Sequence, residues 1–262
     1  MKLKIILILL TFNLYSQNNG IIRYGFINAL GMGDMKGQES QAYMIFNNAR
    51  SYYVTAKNSL EKEEEKYKDK VIKGKKNKTT ALYSGIKVSP QGDQVLYDLN
   101  KKTILSNLLY GNQIYIKETS TKIEWKITKE SKKIGKFNCF KATGAFRGRF
   151  YTAWFTREIP IPFGPWKLNG LPGLILEAYD KNKNVYWGFK SINYPIKDKQ
   201  PPTNIKKSKN EKDVTFISYS DFKKVQLKEL ELSKDKNKIM AKEYPSVKFI
   251  DPKIDEMFIE CE

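Results

Sequence analysis

Apolar and polar residues alternate at period two along much of this chain, and no other feature constrains its fold as tightly. The clearest instance is Ile123, Trp125 and Ile127 interleaved with Lys122, Glu124, Lys126 and Thr128, the pattern of a strand with one buried and one wet face. Further runs cover 21–29, 41–47, 51–56, 94–99, 102–108, 113–118, 137–144, 149–156, 174–179 and 185–192. Polar turns separate them at intervals of roughly ten residues. None is followed by the long amphipathic helix that a parallel crossover needs, so antiparallel meanders are expected rather than βαβ units. A twisted sheet of about ten strands tends to curl. The expected class is mainly β, a large curved antiparallel sheet or half-barrel with one C-terminal helix.

Three segments break the pattern. Residues 57–70 are a charge run without an apolar stripe, expected as a solvated loop or exposed helical turn. Ser220 is the expected N-cap of a helix over 221–242, with Phe222, Val225 and Leu230 on one side. Residues 195–213, rich in Lys, Pro and Asn, read as a mobile surface loop. At the amino end, Lys2 and Lys4 precede an apolar run from Ile5 to Phe12 and then Asn13-Leu14-Tyr15-Ser16-Gln17. That order predicts a signal peptide over 1–16, cleaved after Ser16, and a single β domain over 17–262. The apolar run is shorter than the ~20 residues of a spanning helix. No cysteine follows it to accept a lipid, so the expected location is periplasmic or secreted.

The formal net charge is +19, yet only five of the 47 basic residues are Arg. Phosphate and base readout favours the bidentate guanidinium. Dispersed Lys therefore reads as a solvated basic surface, or one attracted to anionic headgroups or acidic glycans, and no nucleic-acid partner is expected. Histidine is absent from all 262 residues, which excludes Ser-His-Asp and Cys-His catalysis and nearly every zinc, copper or non-haem iron site. No cofactor and no metal site are expected.

The centre of the chain is dense in residues that fix backbone shape. In Ile159-Pro160-Ile161-Pro162 two prolines remove ladder donors and predict an extended, unpaired edge. Pro165 suits the start of a short helical turn through Trp166-Lys167-Leu168-Asn169, and Gly170 its left-handed end. Leu171-Pro172-Gly173-Leu174 has the residues of a type II turn. The hexapeptide Gly170-Leu171-Pro172-Gly173-Leu174-Ile175 thus reads as a corner between strands. Together with Gly135-Lys136-Phe137-Asn138-Cys139-Phe140-Lys141-Ala142, with Trp154, Ile159-Pro160 and Gly164-Pro165-Trp166, it resembles the GLPGLI family, secreted Bacteroidetes proteins without an assigned activity. The resemblance implies a compartment and carries no catalytic or binding residues. The expected architecture is similar to the half-barrels of periplasmic lipoprotein carriers, an analogy of fold alone.

Candidate functional residues follow from chemistry. Arg147 and Arg149 fall near Tyr151, Trp154 and Trp166, and arginines among aromatics suit sugars, carboxylates or acyl headgroups. The same residues also fit a core whose rim the arginines cover. Glu158, Glu177 and Asp180 are the carboxylates available to a hydrolase acting on glycans or peptides. Cys139 and Cys261 are free to pair in an oxidising compartment, or to remain a buried thiol and a frayed terminus. The function expected is a non-enzymatic binding or accessory role in the envelope, toward an apolar or anionic small ligand or an envelope protein docked on strand edges near the two prolines, with the carboxylate hydrolase as the alternative.

Overall fold

The computed structural model describes residues 19–30, 39–55, 70–73, 80–83, 92–110, 112–207, 214–246 and 248–262. The expected signal segment and the charge run over 57–69 lie outside them. In chain order the strands are β1 (Asn19–Asn28), β2 (Ser40–Phe46), β3 (Arg50–Val54), β4 (Lys70–Lys73), β5 (Thr80–Tyr83), β6 (Gln94–Asp98), β7 (Thr103–Tyr110) and β8 (Asn112–Thr119). The second half supplies β9 (Lys126–Ile134), β10 (Phe137–Phe146), β11 (Arg149–Thr156), β12 (Leu174–Asp180), β13 (Val185–Ile196) and the short β14 (Phe216–Ile217). Helices α1 (Tyr219–Glu243) and α2 (Ile254–Met257) follow.

Twelve strands form one sheet in the order β14-β8-β7-β6-β3-β2-β1-β13-β12-β11-β10-β9, while β4 and β5 pair separately. Only β14, on β8, is parallel in the large sheet. The sheet is two meanders joined where β1 pairs with β13, from Asn28 against Val185 to Asn19 against Ile196 with two register shifts between. It curls strongly. β8 and β11 are eight places apart, about 38 Å in a flat sheet, yet Arg147, beside β11, ion-pairs with Glu118 of β8. Bulges in β13 against β1, in β9 against β10 and at Leu176 of β12 against β11 help to bend it.

Period-two alternation sorts the core. Ile22, Tyr24, Phe26, Met44, Tyr53 and Val95 lie on one face and belong to the main cluster. Ile21, Tyr43, Ile45, Tyr52 and Leu96 lie on the other. That second face is covered by residues of the segment expected to be a mobile loop. Ile205 is buried there, and Lys206 exchanges two hydrogen bonds with the Gln94 side chain. Residues 208–213 of that segment lie outside the described residues.

The main face is filled by residues 159–169. Ile159, Ile161, Phe163, Trp166, Lys167 and Leu168 are all buried, so the segment is an internal plug and not a strand edge, with Pro160 exposed and Pro162 half-buried on its outer side. Around each proline the chain closes a three-residue ring, with Ile161 N donating to Ile159 O at 2.8 Å and Phe163 N to Ile161 O at 2.9 Å. Proline's fixed φ suits such inverse γ-turns. The expected helical turn is instead a tight turn closed by Leu168 N on Pro165 O at 3.2 Å. Trp166 holds a left-handed φ of 56° there, unusual for a bulky residue.

Two further expectations are corrected. The 123–127 alternation is not a strand: β9 starts only at Lys126, and Trp125 points its indole at the plug, donating Nε1 to Asn169 O at 2.7 Å. The helix is capped by Ser218, whose hydroxyl accepts from Asp221 N, two residues before Ser220, and its buried face carries Phe222, Gln226 and Leu230.

The hexapeptide does turn the chain from plug to β12, but not through a type II turn. Gly170 is left-handed, at φ +90°, while Gly173 is not in the left-handed region. Gly173 is needed because a Cβ there would stand 2.0 Å from Thr156 O. The geometry predicts that Gly173→Ala costs about 3 kcal/mol or more, through forced backbone movement. Gly170→Ala, with nothing within 4 Å of its Cβ, costs only about 1–2 kcal/mol of conformational strain. Urea titration of the two variants checks the order; equal losses would restore a turn-based role for Gly173.

Candidate functional site

The plug carries a lysine into the core. Lys167 is 1% exposed and its ammonium lies 2.5 Å from Glu118 Oε1 and 2.5 Å from Glu260 Oε1. Arg147 completes the group, pairing with Glu118 and standing 3.5 Å from Glu260, with its guanidinium 3.6 Å from the centre of the Tyr219 ring. Two acids and two bases are thus buried together, which is tolerable because each has an opposite partner. Burial pushes the Glu260 carboxyl upward, against the pull of Lys167.

Glu260 belongs to a C-terminal segment held as an extended peptide is held in a groove. Arg149 donates to Asp180 at 3.0 Å and to the carbonyls of Asp255, Phe258 and Ile259. Gln226 Nε2 donates to Glu260 O at 2.8 Å, and Cys261 N donates to Arg147 O at 3.1 Å. Gly148 lets the segment approach, since a Cβ there would meet the Cys261 backbone at 2.7 Å.

Where plug, tail and sheet meet there is a cavity of ≈ 40 Å³, room for roughly three water molecules at about 10–15 Å³ each. Lys167 and Glu260 line one side, Trp166 and Trp187 the aromatic wall, and Asp93 and Ser106 the side formed by β6 and β7. Trp187 Nε1 donates to Tyr53 Oη at 2.7 Å. Asn107 is fully engaged, accepting from Gln94 N and donating to Gly92 O. Ser106 Oγ is different: it is buried, in a residue 2% exposed, and has no hydrogen-bond partner among the described residues. Thr55 pins the Asp93 backbone, while the Asp93 carboxyl makes no hydrogen bond to the described residues. Burial pushes that carboxyl up to about 6.

The sequence-predicted residues fall in two places. Arg147, Arg149, Tyr151 and Trp166 come together around plug and tail, with the guanidinium groups engaged internally. Tyr151 is fully buried, its ring 6.3 Å from both Trp166 and Trp187. Trp154 lies apart under Lys132 at 4.3 Å, and Lys132 in turn holds Glu177 at 2.9 Å. Glu158 accepts from Asn138 N at 2.8 Å, and Asp180 is held by Arg149 and Val185 N. The three carboxylates therefore do not converge. Cys139 and Cys261 are unpaired thiols. Cys139 lies seven residues before the end of β10, roughly 23 Å of strand, whereas Cys261 packs beyond that end, on Arg147. Burial pushes the Cys139 thiol up to about 12, leaving it unreactive.

Among the described residues no group of three or more potential metal ligands converges, and no helix is long and apolar enough to cross a membrane. Asp93, Ser106, Lys167, Glu118 and Glu260 were not legible as site residues, because they are scattered from 93 to 260 with no local motif.

A family model described as "Protein of unknown function (Porph_ging)" matches residues 147–177. That window holds Arg147, Arg149, Lys167 and the whole plug. Among curated proteins, none matches. Two crystal structures of PNGF-II are similar over most of this chain. The C2 form matches 79% of this chain and 32% of that chain at 17% identity and a TM-score of 0.50. The P21 form matches 80% and 33% at 15% identity and a TM-score of 0.48. The chain spans about a third of PNGF-II, and a likeness at such identity is one of fold alone.

Two outcomes follow from the charges. Lys167→Met leaves Glu118 and Glu260 without their shared ammonium and is expected to cost about 3–5 kcal/mol in denaturant titration, with faster amide exchange at Cys261; a loss under 1 kcal/mol would mean the group is not a lock. Asp93 holds its proton more tightly folded than unfolded, so its contribution is complete below the usual carboxylate range and is lost as pH rises to about 6. Asp93→Asn is therefore expected to gain melting temperature relative to the parent as pH rises from about 4 to about 6. A pH-independent difference in calorimetry would exclude this.

Proposed function

We propose that this is an exported protein of the GLPGLI type, periplasmic or secreted, that acts as a non-enzymatic binding component of the cell envelope, and that its binding site is the cavity between plug, tail and β7. One observation carries the reading. In a core where Lys167, Arg147, Arg149, Asn107 and Gln226 all have partners, the Ser106 hydroxyl on the cavity wall is buried with no hydrogen-bond partner among the described residues, and unlike Glu260 Oε2, which lies 3.5 Å from Arg147, it has no ion pair either. A buried polar group without a partner costs stability unless something else bonds to it.

The arginines led to an expectation of an anionic or apolar ligand, but their charges are met by Glu118, Glu260 and Asp180. The cavity wall is largely apolar, with Phe26, Val95, Leu108 and Ile259 beside the two tryptophans, and the hydroxyl of Ser106 and carboxyl of Asp93 on it support a small ligand that carries polar groups. The hydrolase alternative has less support, since Glu158, Glu177 and Asp180 each answer to a different partner. Docking of an envelope protein at the prolines has less support, since only Pro160 is exposed and the segment is not a strand edge.

Ligand-observed NMR of the protein against a panel of small soluble compounds tests the reading. Binders are expected whose signals disappear with Ser106→Val, which fills the cavity and removes the hydroxyl. Incubation with glycans and peptides is expected to release no product. Product formation abolished by Glu177→Gln would replace binding with catalysis.

A further inference from the structure

The unused bonding capacity of the cavity defines what it takes. Ser106 offers a hydroxyl that both donates and accepts. Tyr53 Oη already accepts from Trp187 Nε1, so its proton is left to donate. The Asp93 carboxyl across from them accepts, or donates when protonated. A ligand that suits all three must accept and donate through neighbouring atoms, as hydroxyl groups do.

Charge narrows the class. Among the described residues Lys167 is the one cation on the cavity wall, and it is already shared between Glu118 and Glu260. An incoming anion would meet Asp93 and Glu260 with no unengaged positive charge to offset them. An incoming ammonium would find Asp93 as a partner but would add a second buried cation beside Lys167, at a desolvation cost that neutral hydrogen bonds avoid.

The aromatic wall narrows it again. Trp187 already stacks on two rings, Phe26 at 5.5 Å and Trp166 at 6.0 Å, with Tyr151 tilted against it at 6.3 Å. With three rings already against it, Trp187 offers a ligand little face for cation–π contact or stacking. The ring edges that remain carry partial positive charge and suit the lone pairs of oxygen. The volume of ≈ 40 Å³ admits about three water-sized groups, which is too few for a sugar ring.

We infer that the cavity bounded by Ser106, Asp93, Tyr53 and Trp187 binds a small neutral polyol, a glycerol-sized molecule or the hydroxylated end of a longer one. The inference rests on the cavity being a ligand site, as proposed above, and specifies its chemistry.

The test is titration of the full chain with glycerol, erythritol, acetate and methylammonium, followed by the indole N–H resonance of Trp187 and by calorimetry. Glycerol is expected to shift the resonance saturably. Ser106→Ala is expected to weaken its binding about tenfold, while acetate and methylammonium leave the resonance in place. Following the parent protein directly keeps the test independent of how any variant folds. Saturation by acetate or methylammonium with no response to glycerol would overturn the polyol assignment and leave the cavity a ligand site. Equal glycerol binding by the parent and Ser106→Ala would overturn the placement of the ligand against Ser106. No response to any of the four would overturn both the polyol and the cavity as a ligand site.

Discussion

A single ammonium, that of Lys167, ties together parts of the chain that share no local sequence. Its carboxylate partners come from β8 near one end of the sheet and from the C-terminal segment, while Lys167 itself rides on the plug between β11 and β12. Arg147 adds the turn between β10 and β11 to the same group. A hydrophobic filler alone would satisfy the apolar face of the sheet in many orientations, because apolar contact is not directional. Paired charges in a dry interior are directional, and they fix which residues of the plug face which strand. The curl of the sheet, the seating of the tail and the shape of the cavity all follow from that registration.

Much of the sheet was legible because each strand carries its own signal. β11 matches the expected 149–156, bounded by the Gly148 turn on one side and by Arg157 and Glu158 on the other. β1, β2, β6, β10, β12 and β13 differ from expectation only at their ends. β9 was missed for a physical reason: as the terminal strand of the sheet it is mostly exposed on both faces, so Lys126 to Ile134 has no buried stripe to betray it. The 123–127 run misled for the opposite reason. Ile123 is buried and Trp125 bonds to the plug, so an irregular segment leaning on the core acquired the alternation of a strand.

The site was much less legible than the fold. Arginines among aromatics drew attention to the right neighbourhood, since Arg147, Arg149, Tyr151 and Trp166 do surround the junction of plug and tail. Their chemistry is directed inward, however, and the open bonding capacity lies on Ser106 and Asp93. Nothing in the sequence around either residue marks it, because an unpartnered hydroxyl on a cavity wall is a property of three-dimensional packing. The glycines of the hexapeptide show the same limit. Gly170 is there for its dihedral angle and Gly173 for the nearness of Thr156, and the two needs are identical at the level of letters.

The junction of β1 with β13 shapes the order in which this molecule can assemble. β1 finds β2 after the eleven residues 29–39, but its other edge is completed only by residues 185–196, more than 150 positions along the chain. Until then the leading strand stays open on that side, with Ile22, Tyr24 and Phe26 waiting for the plug and for Trp187. Contacts so distant in sequence are slow to form, and an unpaired apolar strand invites pairing with other chains. Assembly from the amino end therefore passes through a half-sheet that must be shielded from its neighbours until the second meander docks against it.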